Sequence, residues 1–206
     1  MQEKVPLIIE KLQQLEADFQ TNQGIILTEY DLQCLLFHKL YELFSHNLPT
    51  HDPHIKGSPL HTELKFFNEN GILYFRPDIT ILNPNNYSII HSIGDFKITD
   101  DDRIVYKKIA LKKEFSFGGT AIIIELKFCR TKSGITSNIN KYMDDIAKIK
   151  RIKRIVEARS NGRDKVYGFL VIFSKTNKRS TVFQEFINQN HGEDIFVNYY
   201  TGNVEI

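Results

Sequence analysis

Cysteine is scarce in this chain. The 206 residues contain two, Cys34 and Cys129, far apart and in no CxxC or Cys/His spacing, so no zinc site is evident from sequence. Cys34 lies in an apolar helical run and Cys129 at the end of an apolar strand, and both are read as buried free thiols. His46, His51, His54 and His61 fall at irregular spacing around Pro-rich, turn-like sequence, without the pattern a zinc ion needs. Long apolar runs are also missing. Stretches such as Ala121 to Ile124 are far too short to cross a bilayer, and Met1 to Asp18 mixes charge with apolar residues without a long apolar core. Neither a secretory signal nor a membrane span is expected, and a cytoplasmic, reducing compartment is the default. There is no internal repeat, low-complexity tract or obvious linker. Net charge is only +2, which exerts no global pull on a polyanion.

What is present is ordinary for a folded chain: 41% hydrophobic and 25% charged residues. The length predicts one domain spanning residues 1–206. Helical periodicity runs from Val5 to Phe19 through Leu7, Ile8, Leu12 and Leu15. A second helix starts at Thr28 as N-cap, with Glu29 and Asp31 in its first turn, and carries the stripe Leu32, Leu36, Leu40 and Leu43. Asn47 to Pro59 reads as loop. Leu60 to Phe67 and Gly71 to Leu82 read as a hairpin joined by Asn68-Glu69-Asn70-Gly71. Asn83 to Tyr87 is a turn, and Ser88 to Lys113 reads as irregular structure with a short helix or strand. Thr120 to Phe128 is the clearest strand. Arg130 to Ser137 is a polar loop, Asn138 to Arg159 a long helix ended at Ser160-Asn161-Gly162, and Val166 to Phe173 a further strand. Thr181 to Asn188 reads as helix and Ile195 to Tyr200 as a final strand. The order predicts an α/β fold: a mixed β-sheet flanked by helices, with parallel strands around the 120–173 crossover and antiparallel ones from the hairpin.

Two acids interrupt this apolar pattern. Asp78 follows Arg76-Pro77 in a strand otherwise made largely of Ile, Leu, Tyr and Phe, where an unpaired acid is costly. In Ile122-Ile123-Ile124-Glu125-Leu126-Lys127-Phe128 the side chains alternate, so Glu125 and Lys127 project from one face, roughly 7 Å apart at about 3.3 Å per residue. Two carboxylates and a lysine on neighbouring strands suit phosphodiester hydrolysis. Asp78 and Glu125 supply oxygen ligands for a hard divalent cation, and Lys127 can orient a water and offset transition-state charge.

Arg76-Pro77-Asp78, followed by Glu125-Leu126-Lys127 at the end of an Ile-rich strand, resembles the PD-(D/E)xK nuclease superfamily, which includes restriction endonucleases, Holliday-junction resolvases and repair nucleases. The resemblance spans roughly Thr28 to Phe173. It implies a restriction-endonuclease-like core, Mg²⁺ at Asp78 and Glu125 (with Mn²⁺ able to substitute), and cleavage of DNA. The 47 positions from Asp78 to Glu125 (125 − 78) exceed the link in many members, so residues 87–119 are expected to be an insertion, for which loop closure costs little.

Supporting residues follow. Glu29 falls near the centre of its helix's apolar stripe and is placed with Asp78, Glu125 and Lys127 in the catalytic set, as the resemblance implies a glutamate on a preceding helix. Asp145 lies within the apolar face Tyr142, Ile146, Ile149, Ile152 and Val156, with Lys148 on its border. Glu63 shares a face with His61 and Lys65 and is read as solvated; Gln33 has no assigned role. From Lys148 to Arg179 eleven bases meet two acids, a local charge of +9 suited to phosphate. Lys132, Lys148, Arg151 and Arg154 are the expected DNA contacts. The leading expectation is therefore a metal-dependent DNA endonuclease in restriction, defence, repair or recombination. The alternative is a non-catalytic DNA-binding or structural subunit on the same fold. Two-strand cutting by one site per chain makes a homodimer the mechanistic expectation.

Overall fold

The computed structural model of the protein describes residues 1–51, 54–67, 73–90, 96–100, 103–107, 114–117, 119–130, 137–176 and 180–202. Helix α1 (Val5–Thr21) opens with Pro6 in its first turn, where a missing N–H is no loss, and buries Val5, Ile8, Leu12, Leu15 and Phe19. Helix α2 (Glu29–Tyr41) begins with a reciprocal cap. The Asp31 N–H donates to Thr28 Oγ1 at 3.1 Å, and the Thr28 N–H donates to Asp31 Oδ2 at 2.8 Å. Leu32, Leu36 and Leu40 are fully buried along its inner face. Cys34 is exposed, which corrects the expectation of two buried thiols. At about 100° per residue it stands roughly 200° from both Leu32 and Leu36, on the opposite side of the helix.

Five strands form the main sheet: β1 (Leu60–Thr62), β2 (Ile79–Ile81), β3 (Ala121–Cys129), β4 (Val166–Ser174) and β5 (Ile195–Thr201). Their spatial order is β5-β4-β3-β2-β1. The β3–β4 and β4–β5 pairs are parallel; β3–β2 and β2–β1 are antiparallel. The fold is thus the mixed α/β sheet flanked by helices that the sequence predicts. Helix α3 (Ile139–Arg159) forms the β3–β4 crossover, and helix α4 (Thr181–Asn190) joins β4 to β5.

Alternation sorts the strands onto two faces. Ile122, Ile124 and Leu126 of β3 and Tyr167, Phe169, Val171 and Phe173 of β4 pack with α1 and α2 in one large cluster. Ala121 and Ile123 of β3 and Val166 of β4 turn the other way, onto Ile149 and Ile152 of α3. Leu170 and Ile172 join them on that side, against Tyr142 and Ile146 of α3 and Phe183 and Phe186 of α4. All nine residues of β4 are buried, as a central strand covered on both faces must be. Gly168 lets α3 approach: a Cβ there would stand 2.3 Å from Ile149 Cγ2.

Two expectations change. The 60–82 hairpin is not continuous. Leu60–Thr62 pairs with Ile79–Ile81, and separately Phe66–Phe67 pairs with Leu73–Phe75. Between them Glu63 takes φ 56°, which removes it from the pleat and from the solvated strand face assigned to it. The Asn68–Gly71 turn lies outside the described residues. In the segment 88–113, read as irregular with a short helix or strand, the described residues form strands. Tyr87–Ile90 pairs antiparallel with Glu114–Phe117, and Phe96–Asp100 with Arg103–Lys107. Each of these two pairs is a separate two-stranded sheet, nested in sequence between Ile81 and Ile122.

Candidate active site

The β2–β3 ladder ends at Ile79↔Ile124, one residue short of Asp78 and Glu125. Antiparallel pairing therefore brings the two acids to neighbouring positions although 47 residues separate them in sequence. Asp78 is fixed at both ends. Its backbone carbonyl accepts from the Glu63 N–H at 3.2 Å and from Gln33 Nε2 at 2.8 Å. Its carboxylate Oδ2 accepts from the Leu126 N–H at 2.7 Å. Pro77, buried just before it, has no N–H to place in the ladder, which suits a point where pairing stops. Glu63, displaced by its left-handed backbone, is ion-paired to Arg76 at 2.7 Å.

Glu125 and Lys127 share the α3 face of β3. Lys127 Nζ donates to Glu125 Oε1 at 2.6 Å and is ion-paired to Asp145 Oδ2 of α3 at 3.2 Å. The other Asp145 oxygen accepts from Lys148 Nζ at 3.0 Å, and that ammonium lies 5.5 Å from the centre of the Phe75 ring. Glu125 and Asp145 are both buried. Glu125 Oε2 is inaccessible and has no hydrogen-bond partner among the described residues.

Such an arrangement disfavours negative charge. Burial is the main cause raising the Asp78 pKa to about 6; Glu29 and Glu63 add to it, while the Leu126 N–H and Lys127 oppose it. Burial also raises Glu125, to about 7, with Asp78 and Asp145 reinforcing and Lys127 opposing. Burial works against the Lys127 ammonium, but Glu125 and Asp145 outweigh it and hold its pKa above the ordinary lysine value. The site is thus short of positive charge. A buried Glu125 oxygen without a donor, beside an Asp78 carboxylate raised by burial, gives two oxygen donors that could hold a hard divalent cation. Among the described residues no group of three or more His, Cys, Asp or Glu side chains forms a ready-made metal cage.

A cleft of about 470 Å³ opens beside the lysine, lined by Glu29, Lys127, Tyr142, Asp145 and Lys148 among others. Glu29 stands on its rim: the carboxylate is exposed, and Oε2 accepts from the Phe128 N–H at 3.3 Å, tying α2 to the end of β3. Tyr142 Oη lies 3.0 Å from the buried Cys129 Sγ.

The expected DNA contacts divide. Lys132 lies outside the described residues. Lys148 is paired with Asp145 at 3.0 Å and lies 5.5 Å from the Phe75 ring centre, which places it in the site cluster. Arg151 is exposed and stacks 4.6 Å from the Tyr74 ring centre; Arg154 is exposed on the same helix. Lys153, counted in the basic segment, is paired with Asp194 at 2.8 Å and with Glu157. Asp145 and Gln33 are the residues that sequence reasoning left without a firm role. Asp145 had a visible signal, an acid inside an apolar helical face; Gln33 had none, because its target is a backbone carbonyl. Among the described residues no helix is long and apolar enough to cross a membrane. No family model, curated protein or solved structure matches the chain.

Proposed function

We propose that this protein is a Mg²⁺-dependent nuclease of the PD-(D/E)xK type that hydrolyses phosphodiester bonds in DNA, acting as an endonuclease. The observation that carries the reading is the pairing of Asp78 with Glu125 at the end of one ladder, with Lys127 on the same face and a buried Glu125 oxygen lacking a donor. The mixed sheet between helix layers, with Pro77-Asp78 and Glu125-Leu126-Lys127 at its centre, supports a restriction-endonuclease-like core. Asp78 and Glu125 hold the ion, with Mn²⁺ an acceptable substitute. When bound, it supplies Lewis acidity at a phosphoryl oxygen and lowers the pKa of a water. Lys127 directs its ammonium at the attacking water and at charge developing on the phosphoryl oxygens. Glu29, on the cleft rim, orients water or substrate from the α2 side. Lys132, Lys148, Arg151 and Arg154 neutralise backbone phosphates. A homodimer would supply the second site that two-strand cutting needs.

The test is cleavage of supercoiled plasmid by wild type, Asp78→Ala and Lys127→Ala, with Mg²⁺ and with EDTA. Metal-dependent nicking or linearisation by wild type alone supports the reading. Equal cleavage by all three proteins overturns it. Mg²⁺-independent DNA binding with no cleavage of plasmid, branched or linear substrates favours the non-catalytic DNA-binding subunit instead.

A further inference from the structure

Lys127 has two acidic partners, and only one of them is assigned to the metal. Glu125 Oε1 lies 2.6 Å from its Nζ and Asp145 Oδ2 lies 3.2 Å from it, so the ammonium already bridges the two carboxylates. Asp145 is an unusual resident of its helix. It is 8% exposed, within the face that buries Tyr142, Ile146, Ile149 and Ile152. A carboxylate at such a position is costly unless paired, so its place depends on the cations it meets. Lys148 takes its second oxygen and is itself steadied over Phe75, which leaves Oδ2 aimed at Lys127. One turn further along α3, Ile149 sits against Gly168, and this contact sets how closely the helix, and with it Asp145, approaches β3.

A divalent cation on Glu125 would compete with Lys127 for the same carboxylate, because two cations held by one small anion repel each other. The lysine then has two courses: to follow a second anion or to swing into solvent and lose its aim. We propose that Asp145 is a positioning residue that takes up the Lys127 ammonium as a divalent cation engages Glu125. The lysine thus passes from one carboxylate to the other without leaving the site. This inference rests on the nuclease reading and deepens it. Asp145 touches neither substrate nor ion; it acts through Lys127.

The test uses the full chain with Asp145→Asn and Asp145→Glu, each checked for folding by thermal melting. Mn²⁺ affinity is measured by calorimetry, and kcat and KM for plasmid at saturating Mg²⁺. Asp145→Asn is expected to weaken Mn²⁺ binding about tenfold and to lower kcat about 10- to 100-fold, in the range of other residues that orient a metal site's ligands. KM should be unchanged, and Asp145→Glu should recover most of both losses. Wild-type Mn²⁺ affinity and kcat in folded Asp145→Asn would overturn the proposal while leaving the nuclease reading intact. A wild type that binds no Mn²⁺ and cuts nothing would overturn both. A crystal structure of wild type soaked in Ca²⁺ tests the inference without any variant. Lys127 Nζ in hydrogen-bond reach of Asp145 and released from Glu125 supports it; Lys127 retained on Glu125 and parted from Asp145 overturns it.

Discussion

The two faces of the central sheet are made by the same strands and obey different rules. On the α1/α2 face, Ile122, Ile124 and Leu126 of β3 meet Leu12, Leu15, Leu32 and Leu36, all fully buried. On the α3 face, residues one position away on the same strand run from Ala121 and Ile123 to Glu125 and Lys127, and face Asp145. Polar and ionic groups are nearly absent from the first face and concentrated at one end of the second. The difference shows how a small chain separates stability from chemistry. One face gains free energy from burial and anchors the fold. The other holds Glu125, whose charged form burial disfavours, beside the Lys127 ammonium, which Glu125 and Asp145 favour.

The sharpest way to break this comparison is to exchange single residues on each side. Glu125→Gln, a near-isosteric change on the α3 face, should lower plasmid cleavage by about 10²-fold or more. It should leave the melting temperature at pH 8 unchanged or higher, because an uncomfortable charge is removed while Lys127 keeps Asp145. A large drop in melting temperature would show Glu125 to be structural. Leu12→Ala on the opposite face should do the reverse. Unfolding in urea should lose about 2–5 kcal/mol of stability, while the folded fraction cleaves normally; lost cleavage in folded protein would show that the faces are not separable.

A pH titration sharpens the point. Asp78 and Glu125 have folded pKa values of about 6 and about 7, above the ordinary 3.8 and 4.5. Their contribution to stability is therefore complete below about pH 4 and is lost as pH rises through about 6 to 7. Metal-free wild type should melt a few degrees lower at pH 7.5 than at pH 5 from this source, at about 2–4 °C per kcal/mol for a chain of this size. Asp78→Asn combined with Glu125→Gln should flatten that slope. Mg²⁺ should raise the melting temperature of wild type at pH 7.5 and leave the double variant unmoved. Equal slopes in both proteins would assign the titration to other groups. The smallest effect concerns the thiols. Cys34 is exposed, whereas Cys129 is buried, its thiol pushed up in pKa by burial. A thiol reagent should label one site quickly and the other slowly, and Cys34→Ser should abolish the fast phase alone. Two fast phases would show that the α3 face is open to solvent.

Much of the architecture was legible in sequence because it rests on local periods. The alternation in Ile122–Phe128 put Glu125 and Lys127 on one face, and the 3.6-residue period of α3 put Asp145 on its buried side. The apolar stripe of α2 likewise exposed the wrong assumption about Cys34, since a helix with Leu32 and Leu36 inside must turn position 34 outward. What was illegible depends on distant partners. Nothing near Asp145 in sequence names Lys127 as its mate. Nothing near Gln33 points to the carbonyl of Asp78. The left-handed backbone of Glu63, an uncommon state for a non-glycine residue, arises where two short ladders part company. Residues 88–113 showed clusters of charge rather than a clean period, so the strands Phe96–Asp100 and Arg103–Lys107 could not be read from local pattern.

The β2–β3 pairing beside Asp78 and Glu125 has a consequence for how this chain could vary. The register at Ile79↔Ile124 is set by the pairs beside the acids, so residues could be deleted from or added to the segment between β2 and β3 without shifting it. The spacing between the two acids along the chain is thus mechanically decoupled from their spacing in the fold. The register beside the acids, rather than the number of residues between them, therefore defines the site.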